Sequence, residues 1–133
     1  MMIFLLESIV GNTFRQVFTD GRSLPKLSDV EPAWLGYSVG RWEGETLVVD
    51  VIGFNDKSWL DSSGYPHGEK LHLVERFRKT DPSTLRYEVT IEDPEYSTRP
   101  WTTAWNYRLS PTTEIMEYFC TENERDRQHM FGK

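Results

Sequence analysis

The chain has 133 residues, of which 38% are apolar, 14% aromatic and 27% charged, and its formal net charge is −6. This composition excludes a disordered chain and a membrane protein, and a single cysteine excludes an internal disulfide framework. The acidic balance argues against nucleic acid and anionic membranes as partners, because both attract clustered Lys and Arg. We therefore expect one domain over residues 1–133, with a short charged tail at its C-terminal end.

Alternating apolar and polar residues predict about eight β-strands. In chain order these strands lie at residues 2–8, 12–19, 37–42, 45–54, 71–78, 85–92, 101–109 and 114–120. Three short segments are typical of the turns between hairpin strands, namely Asp20-Gly21, Glu43-Gly44 and Asp81-Pro82-Ser83. The strands are therefore expected to follow one another as an antiparallel meander.

Consecutive antiparallel strands must protect their edges, and closure into a barrel does so. A barrel of about eight strands leaves room for packed side chains or for one small ligand. We therefore predict an all-β fold, a single antiparallel β-barrel that is lipocalin-like. A cupin-type or jelly-roll sandwich with the same number of strands is the alternative.

The connection between the fourth and fifth predicted strands is long, and long irregular connections in small domains often carry function. It contains Asn55, Trp59, Asp61 and His67, and His72 follows in the next strand. Because imidazole is an ordinary ligand of divalent transition metals, His67 and His72 are candidate metal ligands, and such a metal is the candidate cofactor. The alternative is a solvated loop in which the polar side chains cap turns and each histidine has a structural partner.

Glu75 is predicted to point into the barrel, because it alternates with three apolar residues of its strand. A buried carboxylate is costly unless it is paired, and desolvation is one way in which a carboxyl group becomes a general acid or base. The catalytic candidates are therefore Glu75, one or both histidines, and Asp61, while Asn55 would orient a polar group and Trp59 would cover it. The alternative is a structural ion pair between Glu75 and an inward arginine, for which Arg41 is the candidate.

Aromatic residues share strand faces in the same way. Trp101, Trp105 and Tyr107 lie on one face of their strand, and Tyr87 can point into the same interior. Such an interior is either a filled core or a cup for an apolar, aromatic or sugar-like ligand. The candidate substrate-binding residues are Asn55, Trp59, Arg41, Trp101, Trp105 and Tyr87.

Three functions are compatible with these features. The first is a small enzyme of hydrolase or lyase type with an acid/base site in the barrel mouth, acting on a small molecule. The second is a module that binds a small ligand without turnover, and the third is a metal-dependent enzyme that uses His67 and His72. The sequence contains no dinucleotide fingerprint, P-loop or nucleophilic-serine motif. An open sheet edge would allow a homodimer.

Several segments resemble an uncharacterised family of proteins from soil and environmental bacteria. They are FRQVFTDGR at 14–22, GYSVGRWEGETLVVD at 36–50, GFND at 53–56, WLD at 59–61 and PHGEKLHLVERF at 66–77. The resemblance covers nearly the whole chain but implies no activity and no site residue. Longer members of the family carry an N-terminal export signal and an additional segment, which implies that they are periplasmic or extracellular. The apolar run at residues 1–6 is too short for a signal peptide, so this chain is expected to be a short or truncated member.

Overall fold

The computed structural model describes residues 1–8 and 11–116, and almost all of its regular structure is β-strand. In these residues seven strands form one sheet that curls into a half-barrel, so the predicted all-β, barrel-like fold is confirmed. A short 3-10 turn, Leu27–Asp29, lies between the second and third strands. The strands are β1 (Met2–Ser8), β2 (Gly11–Phe18), β3 (Tyr37–Glu43), β4 (Thr46–Ile52), β5 (His72–Asp81), β6 (Thr84–Glu92) and β7 (Trp101–Arg108).

The order of the strands across the sheet is their order along the chain, and neighbouring strands are antiparallel except at one position. The exception is β2 and β3, which run parallel and pair at Val17–Ser38 and Phe18–Val39. The hairpin predicted at Asp20-Gly21 is therefore wrong. Because β3 runs parallel to β2, a tight turn cannot join the two strands, and a longer crossover connection is required. Residues 19–36 make this crossing.

The other two predicted turns join hairpin strands. β3 and β4 are connected by Gly44-Glu45, where Gly44 has a φ of 60°, and β5 and β6 are connected by Pro82-Ser83. The Asp81 carboxylate accepts a hydrogen bond from the backbone N–H of Ser83 at 2.8 Å. These short turns determine the register of β3 with β4 and of β5 with β6, and alternate residues of each pair therefore share one face of the sheet.

The concave face of the sheet carries the hydrophobic core, and β4 shows which side this is. Leu47, Val49 and Val51 belong to the core cluster, whereas Asp50 projects from the opposite, convex face. Val48 on the convex face is also fully buried, so β4 is covered on both sides. The complete core cluster is Val17, Leu47, Val49, Val51, Phe54, Leu71, Val89 and Ile91.

Gly40 in β3 allows β2 to lie close to it. A Cβ atom at position 40 would be 2.8 Å from Cγ1 of Val17, a completely buried side chain. Since real Cβ atoms are not found so close to a rigid neighbour, any other residue here would push β2 away. The glycine therefore supports the curl that brings β2 side chains towards those of β5.

Two predicted features fall at the end of the described chain. Residues 114–116 of the predicted eighth strand are not in a strand, and the rest of it lies outside the described residues, as do Cys120 and the charged tail. β1 and β7 are the edges of the described sheet. No helix in the described ranges is long and apolar enough to cross a bilayer.

Candidate functional site

A cavity of about 780 Å³ opens on the concave face between β6, β7 and the long connection that precedes β5. Its volume lies within the range of small-molecule sites. Most of its wall is apolar or aromatic, and its polar side chains other than the tyrosines are Asp61, Asp93, Ser97 and Thr103. The aromatic residues that line it are Tyr65, Tyr87, Tyr96, Trp101, Trp105 and Tyr107.

The aromatic wall follows from the register between β6 and β7. Tyr87 pairs with Trp105, and Leu85 pairs with Tyr107, so these side chains project from the same face. The rings of Tyr87 and Trp105 are stacked, with centroids 5.7 Å apart and planes 15° from parallel. β7 is an edge of the sheet that the described residues form, and its Trp101 and Trp105 are 44% and 49% exposed. The site is thus an open groove with ring faces available to a ligand.

Glu75 lies beneath this wall and is 4% exposed, which confirms that it points inward. Its Oε2 accepts a hydrogen bond from Nη2 of Arg15 at 2.6 Å, and its Oε1 accepts one from the Tyr87 hydroxyl at 2.8 Å. The prediction that Arg41 is the partner of Glu75 is therefore wrong. Arg41 projects from the convex face, where it forms ion pairs with Asp50 and Glu43.

The Arg15–Glu75 pair depends on the curl of the sheet. Arg15 belongs to β2 and Glu75 to β5, and three strand spacings would separate them by about 14 Å in a flat sheet. The guanidinium also lies 5.1 Å from the ring centroid of Phe4. Its Nε is buried and has no hydrogen-bond partner in the described residues. Arg15 was not among the candidates, although alternation with the core residue Val17 would have placed it on the inner face.

Tyr87 is held in its neutral form. Burial raises the pKa of the Tyr87 hydroxyl above its ordinary value, and the adjacent Glu75 carboxylate raises it further. The hydroxyl therefore remains the donor in its bond to Glu75 throughout the neutral range. It cannot serve there as a base.

Tyr87 should therefore remain protonated where ordinary tyrosines ionise, at a pH above about 10. Because the native pKa exceeds the unfolded one, its contribution to stability is complete below that pH and is lost as the pH rises towards the native pKa. An ultraviolet titration of the folded protein should show the same tyrosinate absorbance for wild type and Tyr87→Phe at pH about 11. A signal lower by one tyrosine in the variant would contradict the prediction.

His67 is a structural residue of the long connection. It is 4% exposed, and its Nδ1 donates to the carbonyl oxygen of Gly68 at 3.2 Å. In the neutral ring Nε2 is then an acceptor, and it lies 2.9 Å from the Ser58 hydroxyl. The ring also packs edge-on against Phe54. Both ring nitrogens are therefore engaged within the connection.

His72 lies on the other face of the sheet from Glu75. Its Nε2 donates to Oδ1 of Asp50 at 3.0 Å, within the convex charged network that also contains Arg41. The described residues contain no group of three or more His, Cys, Asp or Glu side chains that could hold a metal ion. The described residues thus offer no third ligand for a metal ion shared by His67 and His72.

Asp93 is the second site residue that sequence reasoning missed. It lies directly after β6, lines the cavity and is 4% exposed. Its Oδ2 accepts from the backbone N–H of Gly68 at 2.8 Å, and its Oδ1 accepts from that of Glu95 at 3.0 Å. Asp93 therefore ties the long connection to the sheet. The only sequence signal at Asp93 is that it precedes Pro94, and an Asp-Pro pair indicates a turn rather than a binding site.

The remaining predicted site residues are placed differently. Asp61 lines the cavity and also accepts a hydrogen bond from the backbone N–H of Ser63 at 2.8 Å. Asn55 caps a turn instead, because its Oδ1 accepts from the N–H of Lys57 at 3.2 Å. Trp59 is 71% exposed and does not line the cavity. The structure thus brings Asp61, Tyr87, Trp101 and Trp105 together on one surface.

Comparison of the chain with protein-family models, with curated proteins and with solved structures found no match. The resemblance to a bacterial family therefore stays a prediction, as does the export that it implies for longer members.

Proposed function

We propose that this chain is a ligand-binding module that holds a small molecule against the aromatic wall of its concave face. The observation that carries the proposal is the group of half-exposed rings, Trp101, Trp105 and Tyr107, on one wall of a groove of ligand size. Rings bury large areas when they are covered, so a concave surface of open ring faces favours a flat or apolar ligand. The ligand would lie in the mouth of the half-barrel, as in lipocalin-like barrels.

The position of Glu75 favours binding over acid/base catalysis. Its two carboxylate oxygens are engaged by Arg15 and Tyr87, and Glu75 is not among the residues that line the cavity. A general base must come within hydrogen-bond reach of the proton that it takes. Here Tyr87 lines the groove, and its hydroxyl already donates to the carboxylate. Glu75 is better suited to positioning Tyr87 than to hydrolase or lyase chemistry.

The test is a tryptophan-fluorescence titration with ligands selected by thermal shift from aromatic acids, sugars, amines and lipids. Trp105→Ala should raise Kd at least about tenfold, because removing a central aromatic contact costs about 2 kcal/mol or more. Trp34→Ala is the matched control, since Trp34 is 62% exposed and does not line the cavity. Its Kd should stay within about twofold of wild type. Equal losses in the two variants, or no ligand in the panel, would contradict the proposal.

A further inference from the structure

We infer that the ligand of this cavity is an organic cation, a quaternary or protonated amine with an apolar body. The inference rests on the proposed function, because it names the ligand class of the same site. It follows from the combination of aromatic rings with the carboxylates of Asp61 and Asp93 in one wall. None of the described residues that line the cavity is Lys, Arg or His.

The rings supply one half of the recognition. Six aromatic side chains line the cavity, and the three on β7 are about half exposed. The face of an aromatic ring is electronegative, and a cation within about 6 Å of several faces is attracted to all of them. An apolar body around the charge would at the same time cover the exposed ring surface.

The carboxylates supply the other half. Asp93 is 4% exposed and Asp61 is exposed, and both line the same cavity. Among the described residues neither forms an ion pair with Lys, Arg or His. The negative charge of the buried Asp93 acts more strongly on a bound ion than a charge in water does. A cation would therefore compensate a charge that the described chain leaves uncompensated.

Two basic side chains in this part of the fold form ion pairs with carboxylates that do not line the cavity. Arg15 is paired with Glu75, and Lys70 is paired with Glu95 at 3.1 Å. An anionic ligand would thus meet two carboxylates and no Lys, Arg or His among the described residues that line the cavity. A neutral sugar could stack on the rings and donate hydrogen bonds, but it would leave the charge of the wall unchanged. A cation satisfies both the rings and the carboxylates.

The experiment compares choline with 3,3-dimethyl-1-butanol, which has the same shape but carries a neutral carbon in place of the quaternary nitrogen. Calorimetric titrations at low salt should give choline a Kd at least about tenfold lower than that of the alcohol, because the ring faces and the carboxylates attract only the charged probe. Choline binding should also weaken as salt is added. Glucose and benzoate serve as sugar and anion probes.

The outcomes separate the inference from the proposed function. If the alcohol, glucose or benzoate binds as tightly as choline and Trp105→Ala abolishes that binding, the cation inference is overturned while the ligand-binding module stands. If choline and the other three probes all fail to bind, the inference is overturned, and the thermal-shift panel then decides the proposed function. Tight choline binding that is equal in wild type and Trp105→Ala would place the cation elsewhere and also overturn it.

A charge variant sharpens the test. Asp61→Asn should weaken choline binding about threefold to tenfold and leave the neutral alcohol unaffected, because it removes a charge but keeps the shape of the side chain. Glu45→Gln is the matched control, since it removes one carboxylate from the exposed turn between β3 and β4. The two variants have the same net charge, so a loss confined to Asp61→Asn is local. Equal losses would show a nonspecific effect of net charge and contradict the inference.

Discussion

Replacing Arg15 by methionine is expected to lower the free energy of unfolding by about 3–5 kcal/mol, because it leaves the Glu75 carboxylate buried without a counter-charge. The Arg15 side chain is 12% exposed and that of Glu75 is 6% exposed, so water cannot replace the lost partner. Methionine keeps much of the aliphatic length of arginine but removes the guanidinium that lies over the ring of Phe4. Urea unfolding followed by tryptophan fluorescence measures the change.

The matched control is Arg22→Met. Arg22 forms an ion pair of the same 2.6 Å length with Asp20, but these two side chains are 41% and 48% exposed. Exposed pairs of this kind contribute little to stability, so Arg22→Met should lose much less stability than Arg15→Met. Similar losses of stability in Arg15→Met and Arg22→Met would contradict the argument that burial makes an unpaired Glu75 carboxylate costly.

The double variant Arg15→Met/Glu75→Met tests the same argument from the other side. Replacing both members of a buried ion pair by apolar residues of similar volume is often neutral or stabilising. The double variant should therefore recover most of the stability lost in Arg15→Met. If it were as unstable as the single variant, the cost would lie in lost packing rather than in an unpaired charge.

The second large effect is expected at Asp93. Asp93→Ala should lower the free energy of unfolding by about 2–4 kcal/mol, because the backbone N–H groups of Gly68 and Glu95 both lose their acceptor. Gly68 is buried, so its N–H cannot turn to water instead. The same variant should weaken ligand binding, since Asp93 holds the connection that forms one wall of the cavity. Urea unfolding and the fluorescence titration measure the two effects.

Asp81→Ala is the control for this prediction. Asp81 also accepts a backbone N–H and a second donor, both from Ser83, but it does so in an exposed hairpin turn. Water can satisfy the groups that Asp81 leaves, so the loss of stability should be much smaller than in Asp93→Ala. A loss in Asp93→Ala no greater than this would show that the connection is held by other contacts.

The face of the sheet from which a strand residue projects was predictable from the sequence, because a strand places every second side chain on the same face. For this reason Glu75 was correctly predicted to point inward, and His72 lies on the opposite face. Trp101, Trp105 and Tyr107 were likewise expected to share a face. Two of the three predicted hairpin turns, Glu43-Gly44 and Asp81-Pro82-Ser83, lie at hairpins of the sheet, because turn residues act locally.

The chain's sequence by itself therefore determined the strands, their faces and the enrichment of one face in rings, because each of these depends on neighbours within a few residues. The tertiary structure alone decided which charges meet. Arg15 rather than Arg41 reaches Glu75 because β2 runs parallel to β3 and the sheet curls, and both features depend on how distant segments pack. Asp93 holds Gly68, 25 residues away, for the same reason. Contacts of this kind are set by the shape of the whole sheet, which no local pattern of residues records.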